Sequence, residues 1–203
     1  TLSLPAFEHS VEVALEGHAT VRRRVTPRPG LEQLVQVSLQ TEEAARMARL
    51  KPEVTTSLGQ TLLLFKPDES AQADFTMGAS RREPGRRSNE VLHPVSLRRM
   101  FYLSTTEVTN AHFRLFQADH DSGQIDGNSL NREHQPAVGV SWQQAASFCN
   151  WLSKREGLPP FYRENKGIIT GYNAAATGYR LPSEAEWAWA ARADGANWLK
   201  FPW

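Results

Sequence analysis

The sequence predicts an α+β fold on three observations. The first forty residues alternate with period two, a strand–loop–strand stretch follows residue 54, and two capping boxes open short helices. In the first segment Val11, Val13 and Leu15 alternate with polar neighbours, as do Val35, Val37 and Leu39, with Ala19–Val25 a third candidate strand between them. Gly17-His18 and Pro27-Arg28-Pro29-Gly30 supply turns, because glycine tolerates positive φ and proline pre-sets φ. Residues 41–53 read as a polar linker with one or two helical turns, stopped by Pro52. The Arg, Gly, Ser and Pro of residues 79–90 predict an exposed loop.

Helices follow. Thr109 is placed to cap one that carries Phe113 and Phe116. Ser141 to Gln144 spells S-x-x-Q, and Ala145, Phe148, Cys149 and Leu152 then fall at i, i+3, i+4 and i+7, one apolar face that Gly157 and Pro159-Pro160 end. Residues 157–178 form a long connection with Tyr162, Tyr172 and three consecutive alanines. Pro182 then stops the chain before a second box, Ser183 to Glu186, whose helix is predicted to bury Trp187, Ala190 and Ala191.

Composition narrows the function classes. The 203 residues suffice for one or two domains, since typical domains run to roughly 100–150 residues. Forty per cent hydrophobic and 22% charged is ordinary for a globular chain, and a net charge of +1 makes no electrostatic case for nucleic acid or an anionic membrane. No apolar run approaches the roughly 20 residues that span a bilayer. The chain begins at Thr1 rather than methionine, and the true N-terminus is expected upstream. A single cysteine, Cys149, excludes a disulfide or a cysteine-pair metal site within these residues, and its place on an apolar helical face predicts a buried thiol.

The string Gly178-Tyr-Arg-Leu-Pro-Ser-Glu-Ala-Glu-Trp-Ala-Trp-Ala-Ala-Arg192 closely resembles the signature of the formylglycine-generating enzyme (sulfatase-modifying factor) family. Upstream, Phe75-Thr76-Met77-Gly78, Glu107-Val108-Thr109-Asn110, Pro136 to Trp142 and Phe148 to Ser153 resemble its further motifs, in its order. His93 to Leu97 and Phe101 to Leu103 resemble its strand pair, and Ala188 replaces the signature's third acidic residue, at the expected loss of a surface contact. Residues 54–203 are thereby identified as the N-terminal part of such a domain. The resemblance implies an incomplete C-type-lectin-like fold behind a small N-terminal β domain. Residues 1–40 resemble the second half of a PEGA module, which implies a bacterial envelope or periplasmic setting.

Members of the family with formylglycine-generating activity oxidise a cysteine of a client protein, using copper(I) held by two cysteines. The resemblance implies copper and structural calcium, with ligands C-terminal to Phe201-Pro202-Trp203, so no catalytic, cofactor-binding or metal residue is assigned here. Two functions stay open: a copper-dependent oxidase, or a non-catalytic binding or scaffold protein of the envelope, the sensor region of a Ser/Thr kinase included. Partners are a client protein or peptide, and a further C-terminal segment or another chain that completes the core.

The remaining candidates read as structural. His112 and His120 are eight apart, about 80° out of register on a helix, and His112 is predicted to face solvent. His120, with Asp119, Asp121 and Asp126, lies in a polar loop that does not spell a calcium loop. Glu184 and Glu186 point apart, Glu186 being taken by the cap, and Ser141 and Ser183 are caps rather than nucleophiles. Trp142, Trp151, Trp187 and Trp189 could line a sugar site but read better as core. Arg22-Arg23-Arg24 reads as a solvated strand edge before an anion site.

Overall fold

The computed structural model describes residues 4–194 and 197–199, and of Asp194 and Trp198 the backbone alone. The chain divides into two compact units, Thr1–Lys51 and Pro52–Trp203.

In the first unit, β1 (His9–Val13) pairs antiparallel with β2 (Val21–Val25), and α1 (Glu42–Ala48) follows, with the Thr41 hydroxyl accepting from the Ala44 amide. Glu12 lies opposite Arg22 and pairs with it at 2.8 Å, while Arg24 reaches Glu8 at 3.8 Å, so two of the three arginines meet carboxylates. The strand expected over Val35–Leu39 is absent among the described residues. Alternation alone cannot make a strand without a partner edge. Among the described residues no backbone hydrogen bond reaches this stretch, the nearest being that from the Ala19 amide to the Gln40 carbonyl beyond its end, and Leu34 before it is 94% exposed.

The second unit opens on a three-stranded antiparallel sheet, β3 (Glu53–Thr55), β4 (Thr61–Phe65) and, on the far side of β4, β7 (Phe101–Ser104). Its register sets Phe65 against Phe101, and the two rings stack at 5.5 Å. Between β4 and β7, β5 (Asp74–Met77) pairs with β6 (His93–Ser96) around the arginine-rich loop. The two strands expected as a pair thus both form, but each pairs with a different neighbour. Gly78 makes that loop geometry feasible: its φ is +97°, and a Cβ there would sit 2.4 Å from the Val91 carbonyl oxygen.

Next come α2 (Asn110–Arg114), the small hairpin of β8 (Gln124–Ile125) and β9 (Asn128–Ser129), and the long α3 (Trp142–Arg155). The hairpin of β10 (Tyr162–Asn165) and β11 (Ile168–Tyr172), then α4 (Glu184–Arg192), and β12 (Ala193–Asp194) with β13 (Asn197–Trp198), complete the described chain. The core lies on both sides of α3. Phe148 and Leu152 pack on Phe113, while Ala146 and Cys149 pack on Tyr162. Both expected capping boxes are present, at Ser141–Gln144 and Ser183–Glu186.

The buried face of α4 differs from the expected one. Trp187 is 54% exposed, while Trp189 and Ala188 are buried, the latter 7% exposed, so position 188 belongs to the core and not to the surface. Trp189 explains the choice: its indole N–H reaches the Gln72 carbonyl at 3.0 Å and its ring meets Phe65 edge-on.

Candidate functional site

The family-like motifs converge on two polar frameworks, each of which fixes loop backbone. The first surrounds Asn110, which is fully buried (0% exposed). Its side-chain N–H groups donate to the carbonyls of Leu130 and Arg132 at 2.8 and 2.9 Å, and its oxygen accepts from the Ser122 hydroxyl at 2.6 Å. The Ser122 hydroxyl also contacts His120 Nε2 at 3.1 Å, and the His120 ring stands edge-on to Phe113. Arg114 adds bonds to the carbonyls of His120 and Asn131 and to the Asn131 side chain. A single asparagine therefore gives the loop after α2 the hydrogen bonds that a neighbouring strand would otherwise supply.

The second framework joins the end of α3 to the signature. Ser153 Oγ donates to the Cys149 carbonyl and accepts from the Tyr179 amide, both at 2.8 Å. The Glu156 carboxylate accepts from the Tyr179 hydroxyl and from the Ser57 amide, both at 2.6 Å. Burial by itself would raise the Glu156 carboxyl, but these two donors outweigh it and hold it below the ordinary glutamate range. The Tyr179 hydroxyl is raised, by burial first and by the facing carboxylate second. Asn150 pairs with both backbone groups of Tyr162, and the Tyr162 hydroxyl accepts from the Leu181 amide. Arg180 grips Glu186 with two guanidinium nitrogens, at 2.7 and 2.5 Å, while Ser183 donates to the same carboxylate. Desolvation would raise Glu186, yet Arg180 and Ser183 together leave it lowered.

Several candidate residues prove to be parts of these frameworks. Glu186 and Ser183 are caps, as is Ser141. Asp121 accepts from Asn131 and from the Gly123 amide, and these bonds, Asn131 first, hold its carboxyl low. His112 does not face solvent as expected. Its ring is half-buried, its Nδ1 has no hydrogen-bond partner among the described residues, and desolvation lowers its pKa. Trp189 is core and Trp151 half-buried, but Trp142 is 57% exposed and, with Trp187, contradicts the expectation that all four tryptophans are core. Sequence reasoning missed Glu156 and Asn150, whose roles depend on partners distant in the chain.

The metal chemistry finds no fit in these residues. Cys149 is 9% exposed, and burial pushes its thiol up to about 12, so it stays protonated at neutral pH. A copper(I) centre needs two soft thiolates, and the chain has one thiol, in its neutral form. Among the described residues no three His, Cys, Asp or Glu side chains group to hold a metal ion, and no helix is long and apolar enough to cross a membrane.

Comparison with known proteins places the chain in a family. The model of the sulfatase-modifying factor enzyme 1-like domain matches residues 71–203. The chain belongs to this sulfatase-modifying factor family. A curated relative, the chaperone protein LppX of Paenibacillus barcinonensis, is 33% identical over 105 residues, which cover 45% of this chain and 35% of that one. The formylglycine-generating enzyme of Mus musculus is 31% identical over 78 residues, covering 38% of this chain and 14% of the enzyme. The chain thus spans about a third or less of the length of these curated relatives. Among solved structures, Treponema denticola variable protein 1 superposes with a TM-score of 0.53 at 24% identity, over 70% of this chain and 57% of that chain, a likeness of fold alone.

Proposed function

We propose that this member of the sulfatase-modifying factor family is a non-catalytic protein-binding module, working in a bacterial envelope setting. The exposed Trp142 and Trp187 carry this reading, while the one thiol, Cys149, is buried in the core as a packing residue. The motif residues support it as well, because Asn110, Asn150, Arg180 and Glu186 all direct their polar atoms into the scaffold. Trp142 and Trp187 are exposed aromatics of the kind that another polypeptide covers. Similarity to a protein named as a chaperone agrees with a role in holding polypeptide.

Similarity to the mouse enzyme favours the second reading, a cysteine oxidase whose chemistry lies outside these residues. One experiment separates the two. The full-length protein is incubated with copper(I), oxygen and a synthetic peptide bearing one cysteine, and the peptide is weighed by mass spectrometry. The expected result is an unmodified cysteine; conversion to the aldehyde would overturn the binding-module reading.

A further inference from the structure

Along one side of α3, Gln143, Ser147, Trp151 and Lys154 recur at i, i+4, i+8 and i+11, a single helical stripe. Phe116 and Gln117, just past α2, form one wall beside it. Glu164 and Gly167 of the β10–β11 hairpin form the other, and the open groove between them has a volume of about 410 Å³. Side-chain amides fasten both walls to the helix: Gln144 Nε2 donates to Gln117 Oε1 at 3.1 Å, and Gln143 Nε2 to the Gly167 carbonyl at 3.1 Å. The groove is therefore preformed at its N-terminal end, which lowers the ordering entropy that a ligand must overcome.

The chemistry of the lining selects among ligands. Those two bonds leave Gln143 Oε1 to accept and Gln117 Nε2 to donate, the pair of functions that a peptide group matches. Trp151 is a poor sugar platform, because Phe116, Phe148 and Arg155 crowd its ring at 5.9, 5.6 and 5.5 Å. Charge gives a direction: Lys154 is exposed with no ion-pair partner among the described residues, while Glu164 on the opposite wall is steadied by Asn150 Nδ2 at 3.3 Å. From Gln143 to Lys154 the stripe runs roughly 16 Å, the reach of about five extended residues.

We infer that this groove binds an extended peptide segment whose acidic side chain is received by Lys154. The inference rests on reading the chain as a protein-binding module and names the ligand class and the place.

The probe is a phage-displayed library of random heptapeptides, panned against the full-length protein, with selected peptides measured by fluorescence anisotropy. Enriched peptides are expected to share an acidic residue. Their affinity should fall about tenfold or more on Lys154→Glu, and recover when the peptide's acid is changed to lysine. Ser147→Trp, which fills the groove, should abolish binding. If that variant does not fold, the charge swap at the exposed Lys154 still decides. Failure to enrich any peptide, or peptides that bind both variants as tightly as the parent, would overturn the groove. Peptides that bind the variants undiminished leave the binding-module reading standing, whereas aldehyde formation on a cysteine peptide removes both.

Discussion

Gly178 opens the signature for a steric reason. A Cβ built there would lie 2.4 Å from the Pro159 carbonyl oxygen and 2.6 Å from Ser153 Oγ. Ser153 cannot yield, because its hydroxyl is already bonded to the Cys149 carbonyl and the Tyr179 amide. Gly178→Ala is accordingly expected to destabilise by about 3 kcal/mol through overpacking. Gly171→Ala is the control: its nearest neighbour would be the Arg163 side chain at 3.9 Å, an ordinary contact, so a change within roughly 1 kcal/mol is expected. Urea unfolding of both variants checks the contrast, and equal midpoints would refute the role given to Gly178. The same reasoning makes Cys149 a packing residue, since its neutral buried thiol fills the space between α3 and Tyr162.

At the scale of elements, polar latches join what packing alone would leave loose. Glu156 ties the C-terminal end of α3 to the turn after β3 and to the signature, and Glu186 ties the start of α4 to Arg180. Both carboxyls are lowered in the fold, so the unfolded chain binds protons that the folded one refuses. Their contribution is complete above the ordinary glutamate pKa of about 4.3 and is lost as pH falls through their folded values. His112, lowered by desolvation, acts in the same direction at higher pH: stability falls as pH drops below the ordinary histidine value of about 6.5. Urea midpoints should therefore decline on acidification in two stages, and Glu156→Gln should flatten the lower stage. An unaltered pH profile in that variant would remove Glu156 as a latch.

These latches also mark what was legible in the chain. Capping boxes could be read because serine and its partner are three residues apart. The Glu156–Ser57 bond joins residues 99 apart, and nothing local announces it. Apolar periodicity misplaces the buried face of α4, because burial there follows Trp189 and the Arg180-paired Glu186, and such periodicity does not register a buried charge. Val35–Leu39 alternates as well as β1 does, but a strand also needs an edge to pair with.

For the whole molecule, the two units differ in what holds them together. In the first unit Ala45 is the one buried residue among those described, and its sheet is a two-stranded ribbon, a form that is marginal in water. The Glu12–Arg22 pair across it is exposed, which limits its worth to about 0–1 kcal/mol. The second unit holds a three-stranded sheet and, around α3, two buried clusters, with Asn110, Asn150 and Ser153 all satisfied inside it. Opening free energies within one protein run from near zero at such ribbons to the full unfolding free energy at the core. Amides of α3 from Phe148 to Leu152 are thus expected to exchange only through global unfolding, about a thousandfold or more slower than those of β1 and β2. Native-state hydrogen exchange at rising urea measures this directly. Protection of β1 and β2 that matches α3 and falls with the same urea dependence would mean that the ribbon unfolds together with the core, and that burial in the first unit is a poor guide to its stability.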